Sequence, residues 1–598
     1  MSLIALLASV SLVGAPTFHI DLTRYFPDAA SEQSQRVALL AEVDQFAKTP
    51  LTALRSPEAL FLWLKTHDQL QSDLQRHGIY LYLKAEEDDA DHADETASQA
   101  LDPPYASLEA ATDAALAGLD SAFLSSAIAK DPALARYRYF ISGARHDAAK
   151  ANTATAARTL VSAPTLQSLA DAYRTLAPKP STLKPTGDAE SQAKQKFDAK
   201  WAPYLRGEEN FAALLIPITH LHEGMARLEG FTGAPDRAYQ AAGLTSQEVE
   251  GVLQAVSRSN AGRHYKSVVA DIVARQLGRP TSALHVWNLD SVDTYRPAPI
   301  DFGDAAPLVL SATQGMGGEY TTAFAQLFAP ARGRVEWCRE PHCDDTGFSV
   351  GFSGVESGLF FGAYRGDTNS VRALAHEAGH AVHRQFMNQN QPIAPYNLGP
   401  HFVFESFAIF NELLLLEHLY RTAEAPAAKA YYLHQWLDDV VFQIYGSAEE
   451  TDLEQSIYAG VAKGDMRNAK DLDALTKTVL ARYEPAVALA PEMNLAWARN
   501  RLYFTDPLYD VNYLFAGLLA VQYVTQFEAQ PKDFSHRYVA LLKNGFDDTP
   551  QALERRFLGI GLDNSTLLVD AAAALIEKRT IELQTLYKAA ALKPNVAH

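Results

Sequence analysis

Cysteine is nearly absent from this chain of 598 residues: only Cys338 and Cys343 occur, in the stretch WCREPHC. Two thiolates and the one imidazole between them, His342, in so short a loop rarely close a tetrahedral metal site unaided. The pair reads as a disulfide in an exported protein and as free thiols in a cytosolic one. Positive charge is also short. Lys and Arg number 52 against 71 Asp and Glu, a formal net charge of −19. That balance argues against nucleic acid or anionic lipid as the main partner, because both demand a basic face. No segment is long and apolar enough to span a bilayer. The opening MSLIALLASVSLVGAPTFHI, residues 1–20, is a possible signal segment, yet it carries no Lys or Arg and places Pro16 after the small-residue cleavage site Val13-Gly14-Ala15. Export, for example to a periplasm, and cytoplasmic residence therefore both stay open. No internal repeat is found.

What is present is the composition of a folded globular protein, 47% hydrophobic and 21% charged, with aromatics along the whole length. A chain of this size exceeds what one core supports, so two or more lobes are expected. From about residue 31 to 175 apolar residues recur at three and four, as in VALLAEVDQF and LEAATDAALAGL, which predicts antiparallel helices. The acidic run EEDDADHADE, residues 86–95, reads as a solvated loop or helix end. LAPKPSTLKPTGDAESQ, residues 176–192, is the best exposed connection. The expected organisation is thus a helical N-terminal lobe over 21–190 and a second, larger domain over 191–598. Helical patterning resumes from about 193 to 280. GRVEWC and FSVGFSGVESGLFFGAYRG, between 333 and 366, alternate and are Gly-rich, as short strands and tight turns are. The fold class expected is mainly α with a small Gly-rich β-sheet.

After that sheet comes DTNSVRALAHEAGHAVHRQFMNQ, residues 367–389. Thr368 to Ser370 offer cap chemistry, and Val371, Leu374, Ala375, Ala378, Val382 and Phe386 fall at helical spacing. On that helix His376 and His380 stand one turn apart on one face, where two imidazoles reach a single Zn²⁺ at about 2.0–2.1 Å. Glu377 points far enough around to miss the metal and reach a water on it. Among chains with 18 histidines in 598 residues the HExxH pattern arises by chance in only a few percent. Gly379, inside an otherwise good helix, costs about 1 kcal/mol relative to Ala and suggests a close neighbour at the backbone. A catalytic zinc needs a third protein ligand. Glu405 supplies it from HFVFESFAIFNELLLLEHLY (401–420), because a carboxylate among Phe, Val, Ile and Leu is expensive unless a cation neutralises it. Glu412, two turns on, falls near the same face and is able to accept the remaining N–H of a zinc-bound imidazole. His383 shares the ligand face but is read as structural or hydrogen-bonding. HLHEGMARLEGF, with His220, His222 and Glu223, lacks the i, i+4 histidine pair and is read as scaffold.

TNSVRALAHEAGHAVH followed by FVFESFAIFNELLLLEHL resembles the two zinc-site helices of the thimet oligopeptidase family of metallopeptidases (peptidase family M3), most closely its oligoendopeptidase F branch. In that family the third ligand is a glutamate 25 residues after the second histidine, here Glu405, and a further glutamate seven residues on is here Glu412. Weaker likeness extends to HVWNLDSVDTYRP, GGEYTTAFAQLF and YLYLKAEEDDADHAD. The resemblance implies a zincin-like helical shell around a deep channel. It places an edge strand that pairs with the substrate backbone at FSGVESGLFFGAYRG, with Gly354, Gly358 and Tyr364 beside the peptide. PLYDVNYLFAG resembles the family's tyrosine-rich segment, so Tyr509 and Tyr513 are expected to contact the scissile carbonyl. The family usually adds a histidine before these tyrosines and a third tyrosine after them; this sequence has RLYFTDP before and LFAG after.

The chemistry expected is hydrolysis of short peptides. One Zn²⁺ lowers the pKa of its water to about 7, Glu377 acts as general base and then acid, and Tyr513 or Tyr509 donates to the oxyanion. Two other readings stand beside an endopeptidase: a catalytically impaired peptide-binding protein of the same fold, and an exopeptidase of the dipeptidyl carboxypeptidase type.

Overall fold

The computed structural model describes residues 18–87, 92–150, 153–178, 184–293, 295–338, 347–362, 364–483, 487 and 489–589. The signal-like residues 1–17 and Cys343 lie outside them. Cys338 is disulfide-bonded. Among the described residues no helix is long and apolar enough to cross a membrane.

The protein is mainly helical. Helices Ala29–Ala47, Pro57–Glu87 and Asp102–Gly118 open it, where the three-and-four spacing predicts them, and a 40-residue helix runs from Ala189 to Leu228. That long helix starts at Asp188, whose carboxylate accepts from Ser191 N and so satisfies one of the N–H groups a helix start leaves open. A single three-stranded sheet is described: β1 (Val335–Trp337), β2 (Gly347–Phe352) and β3 (Val355–Phe361), in the order β1-β3-β2. β1 pairs parallel with β3, while β2 and β3 form an antiparallel hairpin with a register shift between Val350 and Phe352.

The chain divides into two compact units, each made of three stretches. The first comprises Met1–Ala148, Pro297–Gly399 and Gln530–Asp548. Its core joins Leu60, Leu64, Leu108 and Leu116 of the early helices to Phe352, Val355 and Phe360 of the sheet. The second comprises Ala149–Arg296, Pro400–Ala529 and Thr549–His598. There helix His401–Thr422 packs most extensively on helix Asp510–Ala529. This division departs from the sequential lobes expected at residue 190, since a Pro- and Ser-rich stretch marks an exposed connection and does not report which distant segments share a core.

Candidate metal centre

Helix Thr368–Asn390 is capped by Asp367, whose Oδ1 accepts from Ser370 N at 2.8 Å, one residue before the expected Thr368–Ser370 cap. Val371, Leu374, Ala375, Ala378, Val382 and Phe386 are all buried, so the apolar stripe read in the sequence is the packed face. His376, Glu377 and His380 are each partly exposed. The two imidazole rings lie with centroids 4.8 Å apart at 86°. Helix His401–Thr422 is buried at every residue from Phe402 to Leu416, Glu405 and Glu412 included.

One donor atom from each of His376, His380 and Glu405 lies within 4.8 Å of the others. Two imidazoles and a buried carboxylate, charge −1 in total, are a donor set that suits Zn²⁺ with a fourth position left for solvent. The residues present therefore fit a single ion.

Around that triad, the Tyr509 hydroxyl donates to Glu405 Oε1 at 3.1 Å. Burial, then the Glu405 carboxylate, push the Tyr509 pKa far above the usual phenol range, so the hydroxyl stays a donor. Tyr513 stacks edge-on to it with centroids 5.4 Å apart. From Val511 to Val521 every residue is buried except Tyr513, which is only partly so. His401, exposed and one helical turn before Glu405, sets its ring 5.3 Å from that of Tyr509. The imidazole beside Tyr509 thus comes from a different element than the RLYFTDP stretch that precedes the tyrosines. Its signal was in plain view, since His401 and Glu405 are spaced i, i+4.

Residues 367–568 match Peptidase family M3. The chain is 23% identical over 422 residues to an oligoendopeptidase F homolog of Lactococcus lactis subsp. lactis (strain IL1403), an alignment covering 66% of this chain and 64% of that one. It is 27% identical over 224 residues to the plasmid oligoendopeptidase F of Lactococcus lactis subsp. cremoris, covering 36% and 35%. The alignments therefore span about a third to just under two thirds of these relatives' length. Its fold is similar to the crystal structure of oligoendopeptidase-F from Enterococcus faecium, with a TM-score of 0.64 at 16% identity over 93% of this chain and 99% of that one.

Several expected placements need correction. The segment Val355–Phe361 is the central strand of the sheet, so both its ladders are in use and Gly358 is not on an edge; the edge next to it is β2. Gly354 sits in the hairpin turn with φ +70°. Tyr364 donates its hydroxyl to Ile300 O at 2.7 Å and stacks edge-on to Phe302 at 5.1 Å, which gives it a packing role in place of the expected substrate contact. His383 is buried against Phe546, and burial holds its pKa well below the ordinary histidine value, so it is neutral. Glu223 accepts from Arg227 Nε and Ala234 N, both at 2.8 Å, as scaffold residues do.

Proposed function

We propose that the protein is a zinc-dependent endopeptidase that cuts internal bonds of short, unfolded oligopeptides. The observation that carries this reading is the convergence of His376, His380 and Glu405 with a glutamate, Glu377, beside the first of them. Bound there, Zn²⁺ supplies Lewis acidity and lowers the pKa of water to about 7. Glu377 takes the proton of the attacking water and hands it to the leaving amine. Tyr513 turns its neutral phenol toward the reacting carbonyl and donates to the oxygen that gains charge. Tyr509 holds Glu405 through its hydroxyl bond.

The edge of β2 supports the choice of substrate. Among the described residues no strand pairs with β2 on the side away from β3, so that side offers N–H and C=O groups to an extended peptide, and only an unfolded segment is able to add as a strand. Gly347 of β2 lies against the base: a Cβ built there would meet Glu377 Cγ at 3.4 Å. A peptide laid along this edge therefore passes beside Glu377.

Digestion of one long internally quenched peptide tests the reading. Internal cuts are expected from the metal-loaded protein, lost with chelator and restored by Zn²⁺. Glu377→Gln should keep one zinc per chain and turn over about a thousandfold slower. Full activity in that variant defeats the assignment. Dipeptides released from one end identify the exopeptidase instead, and absence of any cut by the metal-loaded wild type identifies a peptide-binding protein of this fold.

A further inference from the structure

Among the described residues Leu508 is the one non-glycine residue with a positive φ, +64°. The left-handed region is strained for an L-residue carrying a Cβ, and such a conformation persists only where the surroundings over-determine it. Two contacts do so. The Leu508 N–H donates to Glu454 Oε1 at 2.8 Å, and the leucine side chain is buried among Ala226, Ala234 and Tyr458.

Glu454 lies on helix Ser447–Lys463 and is 2% exposed. Its second oxygen, Oε2, has no hydrogen-bond partner among the described residues. A carboxyl group so placed is costly to bury, and the one directed bond it makes goes to the strained backbone just before Tyr509. Burial, followed by the carboxylates of Asp510 and Glu450, pushes its pKa well above the ordinary range, against the pull of the Leu508 N–H. A neutral acid still presents a carbonyl oxygen, which an amide side chain reproduces.

The chain leaves Leu508 for a residue tied at both ends. The Tyr509 carbonyl accepts from Asn512 N at 2.8 Å and from Asn512 Nδ2 at 3.0 Å. Asn512 Oδ1 in turn accepts from Phe402 N at 3.2 Å, at the start of the helix that carries Glu405. The direction in which the Tyr509 ring sets out is decided by the backbone turn at Leu508, and its hydroxyl ends on Glu405.

We propose that Glu454 is a positioning residue for Tyr509: by holding Leu508 in the left-handed region it aims the Tyr509 hydroxyl at Glu405. The proposal rests on Glu405 being a metal ligand, part of the function proposed above.

Full-length protein and four variants test it: Glu454→Met, Glu454→Gln, Tyr509→Phe and the Glu454→Met/Tyr509→Phe pair. The readouts are zinc retained against a graded competing chelator, and kcat and KM on the quenched peptide. Glu454→Met should weaken zinc retention about tenfold, as loss of a group that orients a ligand does, and lower kcat with KM little changed. Glu454→Gln should match the wild type, and the pair should be no weaker than Tyr509→Phe alone, because an already misaimed phenol has nothing further to lose. Wild-type retention and kcat in Glu454→Met, or losses that multiply in the pair, overturn the proposal. If Glu454→Met does not fold, Leu508→Gly and Leu508→Ala decide. Both delete the side chain, but only glycine enters the left-handed region without strain, so glycine should hold zinc several-fold better than alanine, and equal retention overturns the idea. A wild type that holds zinc but cleaves nothing removes the peptidase reading while these retention data still judge Glu454. A wild type that binds no zinc overturns both.

Discussion

In the proposed reaction Tyr513 is the residue whose removal tests the chemistry most directly. It is the partly exposed position in a buried stretch of helix, and its ring meets that of Tyr509 edge-on. A donor aimed at developing oxyanion charge is worth about a hundredfold or more in kcat. Tyr513→Phe should therefore lower kcat by about that factor while leaving zinc content at one per chain, as steady-state kinetics with metal analysis will show; an unchanged kcat would assign the phenol to packing. The residues visible in the sequence were those whose placement local geometry dictates. His376 and His380 are neighbours because a helix has 3.6 residues per turn, and Glu405 stands out because its surroundings are apolar. Glu454 and Asn512 were not visible as partners of Tyr509. The bond from Leu508 to Glu454 spans 54 positions, and no periodicity reports a contact of that kind.

At the scale of elements, the hairpin β2–β3 brings an edge strand over the helix that carries His376 and His380. Its bend comes from the register shift at Gly351, which has φ +142°. A Cβ there would lie 2.9 Å from the Ser357 backbone and 2.9 Å from Asn388 Nδ2 on helix Thr368–Asn390. Both the backbone region and the space demand glycine. Gly351→Ala should cost about 2 kcal/mol of stability and, by shifting β2, raise KM for peptides; a thermal melt and a Michaelis curve check the two effects separately. The strands themselves were legible from alternation and glycine content. Their order was not, because which strand ends up central depends on β1 pairing with β3 across the intervening hairpin. For this reason the expected edge strand proved to be the middle one. The Asp367 cap was missed more narrowly, since Asp, Thr and Ser are all good caps and three of them stand within four residues.

For the whole molecule, buried titratable groups set how stability responds to pH. Burial raises Glu554 to about 7; it also raises Asp113 to about 7, helped by the charges of Glu109 and Asp147. Burial opposes protonation of His67, but Asp68 and Glu109 outweigh it and lift that group to about 9. Each of these three binds its proton more tightly folded than unfolded, so each contributes stability that is complete below its unfolded pKa and gone above its folded one. For the two acids the loss runs from about pH 4 to about pH 7, and for His67 from about 6.5 to about 9. His222 acts in the opposite direction: burial lowers it to about 4, so its contribution is lost as pH falls below about 6.5. His383 acts as His222 does, but Glu450, Glu454 and Asp510 are raised as Glu554 and Asp113 are, so the falling groups outnumber the rising ones and leave a net decline. The melting temperature should therefore fall between about pH 5 and about pH 9. Glu554→Gln isolates one contribution, because an amide keeps the acceptor for the Tyr523 hydroxyl, bonded at 2.7 Å, and cannot titrate. In that variant the decline should flatten between about pH 5 and 7 and keep its slope from about 7 to 9, where His67 and Glu450, raised by burial to about 8, still lose their contributions. Melting curves at unit steps of pH measure both segments, and an unaltered slope below pH 7 would mean that Glu554 is already ionised in the folded protein.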